Sequence, residues 1–221
     1  MLFDLRSRGR RRTVQVIYLG LAVLIGGGLI LFGVGTGTGG GGLLNGLGGN
    51  GSNSGQTQAV DQATKSALKA TRERPSDPAA WSQLVQAYFS AAGSGTDYNS
   101  STGTYTAAGK RDLTLATQAW QRYTQLTQSP TPDLSILAAR AYGQLGQYKQ
   151  QSAAWEDFVT AQPKAAKGYV CLAVSSYAAK QNRKGDLAAA KALKMVPKLQ
   201  RLTLKQTFQQ VKTQPALAAQ C

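Results

Sequence analysis

Residues 14–34 form a run of 21 positions without a single charge, and only Gln15 and Tyr18 carry polar tips within it. A helix rising about 1.5 Å per residue would reach roughly 30 Å over that length, the thickness of a bilayer's hydrocarbon core. The run predicts a transmembrane helix. Residues 35–55 then change character completely: glycine dominates with Asn, Ser and Thr, broken only by Leu43, Leu44 and Leu47. Such a stretch lacks the apolar surface needed to offset its ordering entropy, and as a random coil it would span about 25 Å. It predicts a flexible linker.

From residue 56 onward the apolar positions recur at helical spacing. Val60, Thr64, Ala67, Leu68 and Thr71 mark a first amphipathic stretch that stops before Pro75. Asp77 and Pro78 read as N-cap and first turn of a second helix carrying Trp81, Leu84, Val85 and Tyr88. Residues 93–109 are polar and loop-like. A helix from about Arg111 to Thr127 presents Leu115, Ala116, Ala119, Trp120 and Tyr123, and Pro130 and Pro132 end it before Asp133 opens another. No segment alternates as a strand would, so residues 56–221 read as one all-α domain.

A longer period lies over the helical one. Pro163 and Pro197 are 34 residues apart, Pro130 and Pro163 are 33 apart, and Trp120 and Trp155 are 35 apart. Ala138-Ala139-x-x-Tyr142, Leu145-Gly146-Gln147-Tyr148, Trp155 and Pro163 make one unit; Tyr169-x-x-Leu172-Ala173, Gly185, Ala189, Ala192 and Pro197 make the next. Trp81-x-x-Leu84-x-x-x-Tyr88 and Ala116-x-x-x-Trp120 make an earlier one, split by an inserted loop. In spacing and residue type these units resemble the tetratricopeptide repeat (TPR) family of helix-turn-helix repeats. Gln151 and Phe158 depart from its small residues, and Val85 from the small residue of a first helix. The resemblance implies an α-solenoid of about three helix pairs: 76–130 with its insertion at 93–109, 132–163 and 166–197. A C-terminal basic capping helix would follow at 198–213.

The same resemblance implies binding rather than chemistry, through the face of the first helix of each pair. Carried over by register, that groove would present Ser82, Gln86 and Phe89, then Asp133, Ile136, Arg140 and Gln144, then Lys167, Val170, Val174 and Tyr177. A protein or peptide partner is the expectation, with a self-associating scaffold, and so a homo-oligomer, as the competing one.

Charge sharpens the topology and adds a second surface. Arg6, Arg8, Arg10, Arg11 and Arg12 precede the apolar run, and no Lys or Arg follows it until Lys65. By the positive-inside rule residues 1–13 are a cytoplasmic flank, 14–34 a single-pass signal anchor in the cell membrane, and 56–221 an extracytoplasmic domain of a bacterial-type envelope protein. A cleavable signal peptide has a shorter apolar region, about 7–15 residues, so the length favours retention; small residues around Gly33 and Gly35 keep cleavage as the alternative. Of the net charge of +15, +10 lies in residues 164–221, where eleven Lys and Arg face Asp186 alone. Lys191, Lys194, Lys198, Arg201 and Lys205 follow steps of three and four beside Met195, Leu199 and Leu202, although Pro197 interrupts the pattern. An anionic lipid or wall polymer is the partner this stripe suits. Nucleic acid is not expected, because Phe208 is the one aromatic of residues 191–221.

Catalysis is not expected either. The chain has no His, and its two Cys are Cys171 and Cys221, which removes the usual metal and nucleophile sets. No cofactor or metal is implied. Asp157 beside Glu156 and Asp112 beside Arg111 are sequence neighbours and do not oppose one another across a helix. The two cysteines are candidates for one disulfide, and free thiols or an intermolecular bridge through Cys221 are equally open from spacing alone.

Overall fold

A computed structural model describes residues 53–221, with side chains from 57 onward. The flank 1–13, the apolar run 14–34 and linker residues 35–52 lie outside the described residues. Among the described residues no helix is long and apolar enough to cross a membrane.

The described unit is all-α, with eight α-helices and two 3-10 segments, joined by short turns except across residues 93–106. The helices are α1 (Asn53–Glu73), α2 (Pro78–Ala92), α3 (Ala107–Leu126), α4 (Pro132–Gln144), α5 (Tyr148–Ala161), α6 (Ala166–Ala178), α7 (Asn182–Met195) and α8 (Arg201–Thr213). The 3-10 segments are Lys198–Gln200, leading into α8, and Pro215–Gln220 at the C-terminus. The linker expected to run to residue 55 therefore gives way to helix at Asn53.

Helix boundaries follow local chemistry. Asp77 accepts from the Ala79 amide at 2.9 Å, with Pro78 in the first turn, as its residue type predicts. Consecutive helices pack as pairs, α2 with α3, α4 with α5 and α6 with α7. Pro132 to Ala166 and Tyr148 to Asn182, the starts of equivalent helices, are both 34 residues.

The recurrence extends to single hydrogen bonds. The Gln147 amide donates to Tyr142 O and the Gln181 amide to Ser176 O, each at 2.8 Å; Gly146 N to Gly143 O and Lys180 N to Tyr177 O are each 3.0 Å. Both turns pass through a left-handed residue, Gly146 at φ 71° and Lys180 at φ 58°. This is the Schellman-type helix ending that glycine suits best.

The core is a continuous layer of small and aromatic residues. Ala138, Ala139, Ala173, Ala189 and Ala192 are buried, and so are Trp120, Tyr142 and Trp155. Alanine lets helix axes approach closely, and the aromatics fill the spaces between pairs.

Two elements differ from expectation. Residues 93–109 are not wholly loop: Tyr98–Asn99 (β1) pairs antiparallel with Thr104–Tyr105 (β2), and α3 begins at Ala107. Asn99 closes the turn by accepting from Ser101 N and Thr102 N, and the Tyr98 and Tyr105 rings meet at a tilt with centroids 4.9 Å apart. The basic segment from 198 starts as a 3-10 turn, and its helix proper packs mainly on α6 and the C-terminal segment rather than on α7 alone.

Candidate functional site

The face formed by α2, α4 and α6 divides into an open part and a covered part. On α2 and α4, Ser82, Gln86 and Ile136 are half-buried, and Asp133 and Arg140 are exposed. Phe89 packs with Tyr105 and Leu145 on the small buried cluster of Ala92, Leu113 and Ala141. Burial first, and then Tyr98, raise the Tyr105 phenol above its ordinary value, with the Arg140 charge opposing. The β1–β2 hairpin thus brings Tyr105 to the cluster on which Phe89 packs, with Arg140, a second residue the sequence register assigns to the groove, near enough for its charge to act on the phenol. Tyr105 itself was missed, because a tyrosine in a polar insertion carries no positional signal.

On α6 the register expectation fails. Lys167 is exposed and Val170 half-buried, but Val174 and Tyr177 are only 4% and 5% exposed. They belong to the core, not to an accessible groove. The physical reason is that α5, α7, α8 and the C-terminal segment all pack on α6, leaving every position from Cys171 to Ala178 buried. Tyr177 donates its hydroxyl to Asp186 at 2.8 Å, its ring lies 5.9 Å from that of Phe208, and the Lys212 ammonium stands 4.4 Å from its ring centroid. Burial and the neighbouring Asp186 carboxylate together raise its phenol above the ordinary range.

Gln144, a further register position, is also engaged. Its amide donates to Ala219 O at 3.0 Å, while Gln151 on α5 donates to Ala218 O at 2.7 Å. Gln151 is fully buried, and its Oε1 has no hydrogen-bond partner. Its size is explained by a neighbour: a Cβ on Gly143 would fall 2.6 Å from Gln151 Nε2. One period later the sizes are exchanged, since a Cβ on Gly185 would fall 2.6 Å from the Tyr177 ring. Gly143 and Gln151 in one unit match Tyr177 and Gly185 in the next.

Cys171 and Cys221 form a disulfide with Cα atoms 5.4 Å apart, closing the C-terminal segment onto α6 across 50 residues. Ala218 in that segment is fully buried, and Leu217 packs against the core. Helices α4 and α6 meet each other sparsely and instead both contact Pro215–Gln220.

The basic residues do not lie on one helix. Lys191 and Lys194 end α7, Lys198 opens the 3-10 turn, and Arg201 and Lys205 lie on α8. Lys194, Lys198 and Lys205 are exposed, Arg201 donates to Val196 O at 3.4 Å, and Lys191 stands 5.7 Å from the Tyr169 ring centroid. None of the five joins an ion pair among the described residues. Leu199 and Leu202 protrude beside them at 94% and 69% exposure.

The carboxylates noted in the sequence sit on separate helices, Asp112 on α3 and Asp157 on α5. Burial first, then the Asp97 carboxylate, raises Asp112, with Arg111 opposing; burial and then Glu156 raise Asp157. The chain matches no protein-family model and no curated protein.

Proposed function

We propose that this chain is a membrane-anchored, non-catalytic interaction module, a TPR-type adaptor displayed outside the cytoplasmic membrane on a glycine-rich tether. The observation that carries the reading is the 34-residue recurrence of helix pairs, repeated down to the turn hydrogen bonds. Stacked pairs of this kind are built to present an extended face, and their stability comes from neighbour-on-neighbour packing rather than from a catalytic cleft. The accessible part of that face is the surface of α2 and α4 with Phe89, Arg140 and Tyr105. A disulfide in a domain of this size fits an oxidising compartment, in keeping with the topology drawn from the arginine flank.

The test is affinity capture of the membrane-extracted chain with its partners. Phe89→Ala with Arg140→Ala is expected to remove a discrete protein partner while leaving the helical circular dichroism unchanged. Retention of that partner by the double variant contradicts the reading.

A second reading rests on a separate observation. Leu199 and Leu202 project into solvent beside Lys194, Lys198 and Lys205, the arrangement of an interfacial patch for anionic lipid. Cosedimentation with vesicles containing phosphatidylglycerol, lost in the Leu199→Ser/Leu202→Ser chain and in high salt, would favour it. Equal binding to neutral vesicles would count against it.

A further inference from the structure

The covered part of the face formed by α2, α4 and α6 is lined as a peptide site would be, and its occupant is the chain itself. Gln144 and Gln151 offer side-chain amides to two successive backbone carbonyls, Ala218 O and Ala219 O. A buried Gln151 is costly unless hydrogen-bonded, and its Oε1 stays unpartnered inside that face. Ala218 fits without exposed surface, and the Gly143 backbone approaches so closely that a Cβ there would lie 3.3 Å from Ala219 Cα. Leu217 packs against the core, the segment also touches α8, and its one covalent fastening is the Cys171–Cys221 bond.

We propose that the α4–α6 face is a peptide-binding groove filled in cis by residues 215–221, and that the Cys171–Cys221 disulfide is the latch that keeps it closed. This rests on the interaction-module reading and adds the regulation of the same face. The ligand class follows from the contacts: a short peptide with small apolar side chains, whose backbone carbonyls accept from Gln144 and Gln151.

Opening is a thiol–disulfide exchange with a small thiol reductant. Its thiolate attacks Sγ of Cys221, the half-buried residue of the pair, while Cys171 is buried. A bond forms between the reductant sulfur and Cys221, the electron pair of the old bond leaves on Cys171 Sγ, and that sulfur takes a proton from water. A second reductant thiolate displaces Cys221 as a free thiol, so two reductant thiols become one disulfide and the two cysteines are reduced. With the latch open the segment is held by noncovalent contacts alone, to α4, α6 and α8, and a competing peptide reaches the face.

The experiment uses the full chain and two readouts. Hydrogen exchange is followed before and after reduction by tris(2-carboxyethyl)phosphine. The Cys221→Ser chain is then offered the disulfide-linked dimer of a labelled peptide of residues 213–221, or of a scrambled version, and covalent capture at Cys171 is timed. Expected are unchanged helical circular dichroism, a loss of protection at 215–221 of at least about tenfold, and capture of the native-order peptide about tenfold faster than the scrambled one. Unchanged protection at 215–221 after complete reduction overturns the latch and leaves the interaction-module reading standing. Global loss of helical signal overturns it too, making the bond a staple of the fold. Equal capture of the scrambled peptide overturns the recognition and, with it, the use of the α4–α6 face for binding.

Discussion

At Gly143/Gln151 and Tyr177/Gly185 the fold exchanges a small and a large residue across one period, and each glycine is required by its partner's bulk. Gly185→Ala would press on a tyrosine ring already fixed by Asp186 and Phe208. A loss of about 1–3 kcal/mol is expected, the usual range for overpacking, read as a lower urea midpoint at unchanged slope. Lys180 is the reverse case. It stands at φ 58° where Gly146 stands in the preceding unit, and a side chain in that region costs roughly 1–2 kcal/mol. Lys180→Gly should therefore raise the melting temperature, while Gly146→Ala should lower it. Asp112 supplies the pH dependence. Its folded pKa lies above the ordinary 3.8, so the folded state holds more protons than the unfolded one as the group titrates. Its contribution is favourable at acid pH and becomes unfavourable as pH rises through the folded value. Asp112→Asn should stabilise the domain at neutral pH, with the gain vanishing on acidification below the unfolded value. The Asp77 cap and the Gly146 turn were legible in the sequence because their residue types carry a backbone preference. The Lys180 turn was not, since lysine signals nothing about a left-handed conformation.

Helices were legible wherever apolar positions kept the 3.6-residue period and a proline or cap marked the end. The β1–β2 hairpin was not, because two-residue strands inside a polar insertion show no alternation. The site suffered more than the fold. Register alone placed Val174 and Tyr177 on an open face, but register cannot know that α8 and the C-terminal segment, about 30 to 45 residues away, return to cover α6. The C-terminal element is fastened by a disulfide whose loop spans 50 residues. Loop-closure entropy for such a span is worth about 4 kcal/mol to the folded state. Reduction, or Cys221→Ser, should lower the unfolding free energy by an amount of that order in a denaturant titration. A change below about 1 kcal/mol would mean that the reduced unfolded chain retains structure of its own.

For the molecule as a whole, the proposed topology rests on charge asymmetry and the apolar run, and the helical architecture on the 34-residue recurrence. An extracytoplasmic domain predicts that protease added to intact spheroplasts cuts within residues 56–221; survival of that region, with cleavage only after lysis, would reverse the orientation. The central claim is that the accessible face of α2 and α4 meets a partner. Photo-cross-linking in membranes tests it most directly, with benzoylphenylalanine placed at Phe89 or Arg140 and, as a control, at Leu187, which is 69% exposed on α7. The account predicts one discrete heterotypic product from 89 and 140 and none from 187. Products of equal yield from all three positions, or only homotypic dimers, would contradict it.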